Sequence, residues 1–305
     1  MQAIRFHQYG GPEQLVLEQV PRPEPKANDV LIRVHAAGVN PADWHMREGD
    51  YQKFMPLPLP WIPGLEAAGV VETVGAEVTT LQPGQAIYGL VNGSYGEYAL
   101  APASDLVPKT AGLTFDQAAA VPMGTLTAWQ ALVEEAGVQP GQRVLVQGAA
   151  GGVGHFAVQL ARWKGAHVIG TASEGNVAFV RSLGAENVID YGAVPFETVI
   201  RDVDVVIDTV GGEVLDRSRQ VLRPGGLLVS VAGQVSQETA QARGLRGIQS
   251  GRASADKLRQ VSDLIESKQI TPVVGPVFPL AEARRAHELS QTRHGRGRIV
   301  LHIAD

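Results

Sequence analysis

The sequence predicts an α/β protein of two domains, a doubly wound parallel sheet joined to a compact β-barrel-like domain. Three observations carry this. The chain has 305 residues, a length that suits about two domains and a large core. Its middle alternates short apolar runs with helical stretches at the pitch of βαβ units. Its first 110 or so residues instead carry short β-like runs broken by proline and glycine.

In chain order, residues 30–34, 68–74 and 85–88 read as strands of the first domain. Pro56, Pro58, Pro60 and Pro63 punctuate what reads as one exposed loop. The apolar run 144–146 reads as a buried strand. It breaks into a glycine turn that opens a helix over 152–164. Next come a strand at 167–170, a helix at 176–183, and strands at 187–190, 203–208 and 226–231. Such alternation predicts a parallel sheet covered on both faces. The tail returns to β-like runs at 273–278 and 298–302, with a helix at 280–289 between them, and is expected to rejoin the first domain. The boundaries that follow are 1–118 with 268–305 for one domain and 119–267 for the other.

The strand, glycine turn and helix at 144–163 form a device for cradling phosphate. Gly148, Ala149, Ala150, Gly151, Gly152, Val153 and Gly154 let the backbone approach a pyrophosphate. The helix start presents free N–H groups and a positive dipole end to it. This points to a dinucleotide and hence to redox chemistry. NAD binders usually carry an acidic residue about 20 positions on, at the end of the second strand; here that place holds Ala172. Ser173, Asn176 and Tyr191 can donate hydrogen bonds there, which favours NADPH. Glu174 is the competing signal, because a strand end one residue off would put a carboxylate at the ribose. Ligands bind beyond the carboxyl ends of such strands, so Val210, Val231 and Ala232 are expected to line the cofactor, sheet packing being the alternative.

Composition excludes other classes. With no cysteine, the chain has no disulfide, thiolate zinc site, iron–sulfur cluster or cysteine nucleophile. A net charge of −5 gives no footprint for nucleic acid or an anionic membrane. No apolar run approaches the roughly 20 residues that span a bilayer, and the first six residues do not read as a signal peptide. A cytoplasmic protein is expected. Of the eight histidines, His35, His45, His155, His287 and His294 show no metal-ligand spacing, and no Gly-x-Ser-x-Gly elbow occurs.

Six segments in order, 37–44, 62–71, 121–130, 147–154, 182–191 and 297–301, resemble the medium-chain dehydrogenase/reductase superfamily, specifically its zinc-independent quinone oxidoreductase branch. The resemblance runs from end to end. It implies a GroES-like catalytic domain, a Rossmann domain and a homodimer. Zinc alcohol dehydrogenases of the superfamily carry a cysteine near Asn40 and a Gly-His-Glu motif in the region of Pro63 to Glu66. Leu65 replaces that histidine, and a catalytic zinc needs typically three protein ligands.

Asn40 matches the family asparagine beside nicotinamide and substrate, where its amide can orient a carbonyl; a turn asparagine bonding its own backbone is the alternative. Tyr51 lies where related reductases place a tyrosine, as a proton donor or as a loop residue packed on the prolines. Thr127 resembles a threonine near the nicotinamide, and Arg298 takes the position of a family lysine near the cofactor phosphates; a surface cluster with Arg293 and Arg296 is its alternative. Asp43 reads equally as a site residue or a helix cap, and Trp44 and Trp61 as pocket walls or core. The loops 89–97 and 247–252 are shorter than the branch leads one to expect, which weakens transfer of substrate preference and dimer geometry. The expected activity is NADPH-dependent reduction of a small quinone or enone by hydride transfer. The alternatives are a 2-enoyl thioester reductase and a non-catalytic NADPH-binding sensor.

Overall fold

A computed structural model describes residues 1–233, 235, 236 and 245–305. The chain divides into two compact units, Met1–Met123 with Ala255–Glu266 and Pro272–Asp305, and Gly124–Ser254 with Ser267–Thr271.

The first unit is built on a seven-stranded sheet. Its order is Val274–Pro279, Arg298–His302, Asp29–Gly38, Glu66–Val74, Ala86–Leu90, Leu106–Pro108, with Tyr98–Pro102 also pairing to Asp29–Gly38. The ten-residue strand Asp29–Gly38 pairs through its first half with Tyr98–Pro102 and through its end with Arg298–His302. Register shifts at Leu31/Ile32 and Val34/Ala36 bend it, as bulges do. The bent sheet closes on Val30, Ile32, Val34, Ala67, Val71, Ile87 and Leu106. Val30, Ile32 and Val34 point to one face of the strand, and Leu31 and His35 on the other face are buried as well. The helix Leu258–Glu266 belongs to this unit. It buries Leu258, Val261 and Ile265, and Ser262 accepts a 2.7 Å hydrogen bond from Tyr88 while donating to Leu258 O. Three of the four loop prolines are exposed, but Pro63 is buried, which corrects the reading of one exposed loop.

The second unit is a six-stranded parallel sheet ordered Asn187–Asp190, His167–Ala172, Arg143–Gln147, Val203–Asp208, Leu222–Ser230, Arg246–Gln249. The chain winds outward from Arg143–Gln147 in one direction, then returns to its other side at Val203–Asp208. This reversal opens a crevice at the strands' carboxyl ends. Val144, Leu145 and Val146 are wholly buried, as befits a central strand covered on both faces. The helix after the glycine turn starts at Gly154 rather than at 152, because Gly152 and Val153 belong to the turn.

Candidate functional site

In the second unit the strand Arg143–Gln147 ends in the glycine turn. Gly148 takes φ +66°, a left-handed conformation that favours glycine. A Cβ on Gly154 would lie 2.1 Å from Gly148 O, so the helix Gly154–Trp163 starts directly against the strand end. The turn is held from below by a buried polar chain. Gly148 N–H donates to Thr171 Oγ1 at 3.2 Å, Thr171 Oγ1 donates to Gln147 Oε1 at 2.6 Å, and Gln147 Nε2 donates to Ser218 Oγ at 3.0 Å. Thr209 Oγ1 donates to Gln147 O at 2.8 Å. None of these supports was expected from the sequence. Thr127 is half-buried on the helix Pro122–Trp129, which passes so close that a Cβ on Gly124 would meet Gly152 O at 2.7 Å.

Two further clusters surround this crevice. The strand spans His167–Ala172, two residues beyond the run read at 167–170, and Ala172 stands at its end. Ser173 and Asn176 follow, with Asn176 Nδ2 donating to Ser173 Oγ at 3.1 Å. Asp190 pairs in register with Ala172. A cavity of about 450 Å³ is lined by Ser173, Glu174, Asp190, Tyr191, Gly192 and Ala193. Two carboxylates therefore share it with the neutral donors. At the neighbouring strand ends, buried Asp208 accepts from Val210 N–H, Gly211 N–H and Ser230 Oγ. Ser230 Oγ also accepts from Ala232 N–H, and Val231 N–H donates to Asp208 O. This knot brings Val210, Val231 and Ala232 together. Val210 Cγ2 would lie 3.0 Å from a Cβ on Gly148. The cradle, closed by glycines a side chain would fill, fits a dinucleotide pyrophosphate.

In the first unit, Asn40 caps the helix Pro41–Glu48. Its N–H donates to Asp43 Oδ2 at 2.8 Å, and Asp43 N–H donates back to Asn40 O at 3.0 Å. Asp43 is thus a cap, and a wholly buried one. Burial pushes its pKa up to about 7. Tyr95 Oη donates to Asp43 Oδ2 at 3.1 Å and contacts His287 Nε2 at 3.1 Å. Burial holds His287 down at about 3 and raises Tyr95 well above the usual phenol range. Asn40 Nδ2 donates to Glu66 Oε1 at 2.9 Å, and Asn40 Oδ1 accepts from Arg298 Nη2 at 2.7 Å. Arg298 is 4% exposed and also paired with Glu66. The structure places its guanidinium with Asn40 in the first unit rather than in an exposed arginine cluster.

Tyr51 lies in the turn after the helix Pro41–Glu48, between the rings of His45 at 5.8 Å and Phe54 at 5.6 Å. Partial burial, then Asp50, raise its pKa above the usual phenol value. His45 pairs with Asp50 at 2.5 Å. Trp44 is 6% exposed and donates to Ser290 Oγ, and Trp61 packs on a core cluster, so both have structural roles. The donor set at the zinc position of related dehydrogenases does not fit a metal. Leu65 offers no donor atom, and both oxygens of Glu66 are taken by Asn40, Arg298 and Met123 N–H.

Comparison with known proteins agrees with this construction. Residues 26–111 match the alcohol dehydrogenase GroES-like domain family, and residues 183–301 match a family described as zinc-binding dehydrogenase. The chain is 34% identical to the quinone oxidoreductase of Sus scrofa, over 99% of this chain and 97% of that protein. It is 34% identical to the chloroplastic NADPH-dependent alkenal/one oxidoreductase of Arabidopsis thaliana, over 99% of this chain and 79% of that one. Among solved structures, the quinone oxidoreductase of Coxiella burnetii superposes with a TM-score of 0.91 at 36% identity, covering 99% of both chains. Among the described residues, no helix is long and apolar enough to cross a membrane.

Proposed function

The chain belongs to the quinone oxidoreductase branch of the medium-chain dehydrogenase/reductase superfamily, and from that premise we propose that it is an NADPH-dependent, zinc-independent reductase of quinones and activated alkenes. The observation that carries the reading is a dinucleotide turn, Gly148 to Gly154, in a chain whose Leu65 and committed Glu66 leave no zinc ligand set. When bound, the nicotinamide supplies a hydride to an electron-poor acceptor. Asn40 orients the acceptor's carbonyl through its side-chain amide. Tyr51, or solvent, returns the proton. Its raised pKa keeps the phenol protonated at neutral pH and makes it a weak acid. Ser173, Asn176 and Tyr191 take the adenosine ribose with its 2′-phosphate, the Rossmann unit is assigned the cofactor, and the GroES-like unit the acceptor. We assign a cytoplasmic homodimer, which sedimentation at graded concentration tests.

The test is NADPH consumption across a panel of quinones, enones and a crotonyl thioester. Turnover of quinones or enones is expected. Faster turnover of the thioester would make the protein an enoyl thioester reductase, and tight NADPH binding with no turnover would make it a sensor. NADPH should bind at least about tenfold more tightly than NADH, about 1.4 kcal/mol. Equal or preferred NADH binding would mean that Glu174 reaches the ribose.

A further inference from the structure

Glu66 has no part in the reaction as written above, yet three donors converge on its carboxylate. It is fully buried. Oε1 accepts from Asn40 Nδ2 at 2.9 Å and from Arg298 Nη2, and Oε2 accepts from the backbone N–H of Met123 at 2.7 Å. Arg298 Nη2 also donates to Asn40 Oδ1 at 2.7 Å. We infer that Glu66 is a positioning residue for acceptor reduction, acting through Asn40 with Arg298 as its counterpart. The inference rests on the reading of Asn40 as the group that orients the acceptor.

An asparagine amide has two ends of nearly the same shape and opposite chemistry, and a half-turn exchanges them. A carboxylate that collects three donors acts as an acceptor only, and a guanidinium can only donate. Flipping Asn40 would set Oδ1 against Glu66 and Nδ2 against Arg298. Two buried hydrogen bonds would be lost and two repulsive contacts made. Glu66 and Arg298 together therefore permit one orientation. In it, one Nδ2 hydrogen is spent on Glu66 and a single N–H, fixed in direction, remains for a substrate oxygen. Such a donor needs no reorganisation when negative charge develops on that oxygen.

The clamp is itself held rigidly. A Cβ on Gly38 would lie 2.2 Å from Glu66 Oε1, so the strand that leads into Asn40 closes directly over the carboxylate. Met123 lies in the first turn of the helix Pro122–Trp129, where the helix dipole favours an anion. Glu66, Asn40 and Arg298 come from three separate elements, and each hydrogen bond restricts the other two residues.

The experiment is a double-mutant cycle of Glu66→Gln and Asn40→Ala, read by NADPH oxidation with a quinone acceptor. Glutamine keeps the size but offers a donor as well as an acceptor, which removes one of the two restraints on the orientation of Asn40. Alone, Glu66→Gln should lower kcat by about 10²-fold, the scale of losing one preorganised donor. NADPH affinity should change by less than about threefold. In the Asn40→Ala background the same change should alter kcat by less than about threefold, because residues acting as one unit are not additive. Loss of one charge from a buried pair can unfold a protein. The cycle is therefore repeated with Glu66→Gln/Arg298→Met, which removes both charges, and the same non-additivity is expected. Multiplying effects in either cycle would overturn the inference while leaving the activity in place. A wild-type protein that reduces no quinone would overturn both readings.

Discussion

At the scale of single residues, the glycine turn makes the sharpest demand. A Cβ on Gly154 would approach Gly148 O to 2.1 Å and Ala149 Cα to 2.9 Å, both backbone atoms that cannot rotate away. Gly154→Ala must therefore push the helix start off the strand end. It should cost about 1–3 kcal/mol, the scale of overpacking a tight site. It should also weaken NADPH binding by at least about tenfold. The control is Gly251→Ala, where an added Cβ meets nothing within 4 Å; thermal unfolding and cofactor titration should leave that variant close to wild type. Tyr51 is a different kind of residue, since its fold costs little and its chemistry is the question. If its phenol delivers the proton, Tyr51→Phe should cut turnover by about 10²-fold at unchanged cofactor affinity. An unchanged rate would assign the proton to solvent.

At the scale of elements, the proposed NADPH preference is tested at the loop that follows the strand His167–Ala172. That loop brings Ser173 and Asn176 together but also lines the cavity with Glu174, and Asp190 lines the same cavity. A carboxylate beside a 2′-phosphate repels it, and NADH carries no such group. Glu174→Ala should tighten NADPH binding by about three- to fivefold, the upper range of an exposed charge pair, and leave NADH binding within about twofold. Competitive titration of the two cofactors measures this, and equal shifts for both would remove Glu174 from the ribose site. The elements themselves were largely legible. The runs at 187–190, 203–208 and 298–302 emerge as strands with those bounds, because short apolar runs closed by turn residues carry their own limits. The helix start was misplaced by two residues, since glycines in a turn carry no periodicity. The supports of the site were not legible. Glu66 and Arg298 are 232 positions apart, and no local pattern links them. What signal existed was a charged residue at the end of an apolar run, Glu66 before Ala67-Ala-Gly-Val-Val71 and Asp208 after Val205-Val-Ile207. A charge so placed is buried with its strand and must find partners.

At the scale of the whole molecule, the buried chain Asp43–Tyr95–His287 ties folding stability to pH. Tyr95 spends its proton on Asp43, so His287 Nε2–H donates to Tyr95 Oη. Both ends of the chain resist charge. Burial raises Asp43 from 3.8 to about 7 and lowers His287 from 6.5 to about 3, with Arg47 adding to the second shift. Between about pH 4 and 7 the native Asp43 keeps a proton that the unfolded chain has lost, so its contribution to stability falls as pH rises. Between about pH 3 and 6.5 the unfolded His287 holds a proton that the native ring lacks, so its contribution rises with pH. From about pH 4 to 6.5 the two slopes, each at most about 1.4 kcal/mol per pH unit, run in opposite directions and cancel. Removing either group exposes the other. Relative to wild type, Asp43→Asn should gain stability as pH rises from about 4 to 6.5, and His287→Gln should lose it over the same window. Urea unfolding at half-unit pH steps reads both slopes. Slopes of opposite sign require that the first unit encloses the chain in neutral form, whereas matching slopes would mean that water reaches Asp43 or His287 in the folded protein.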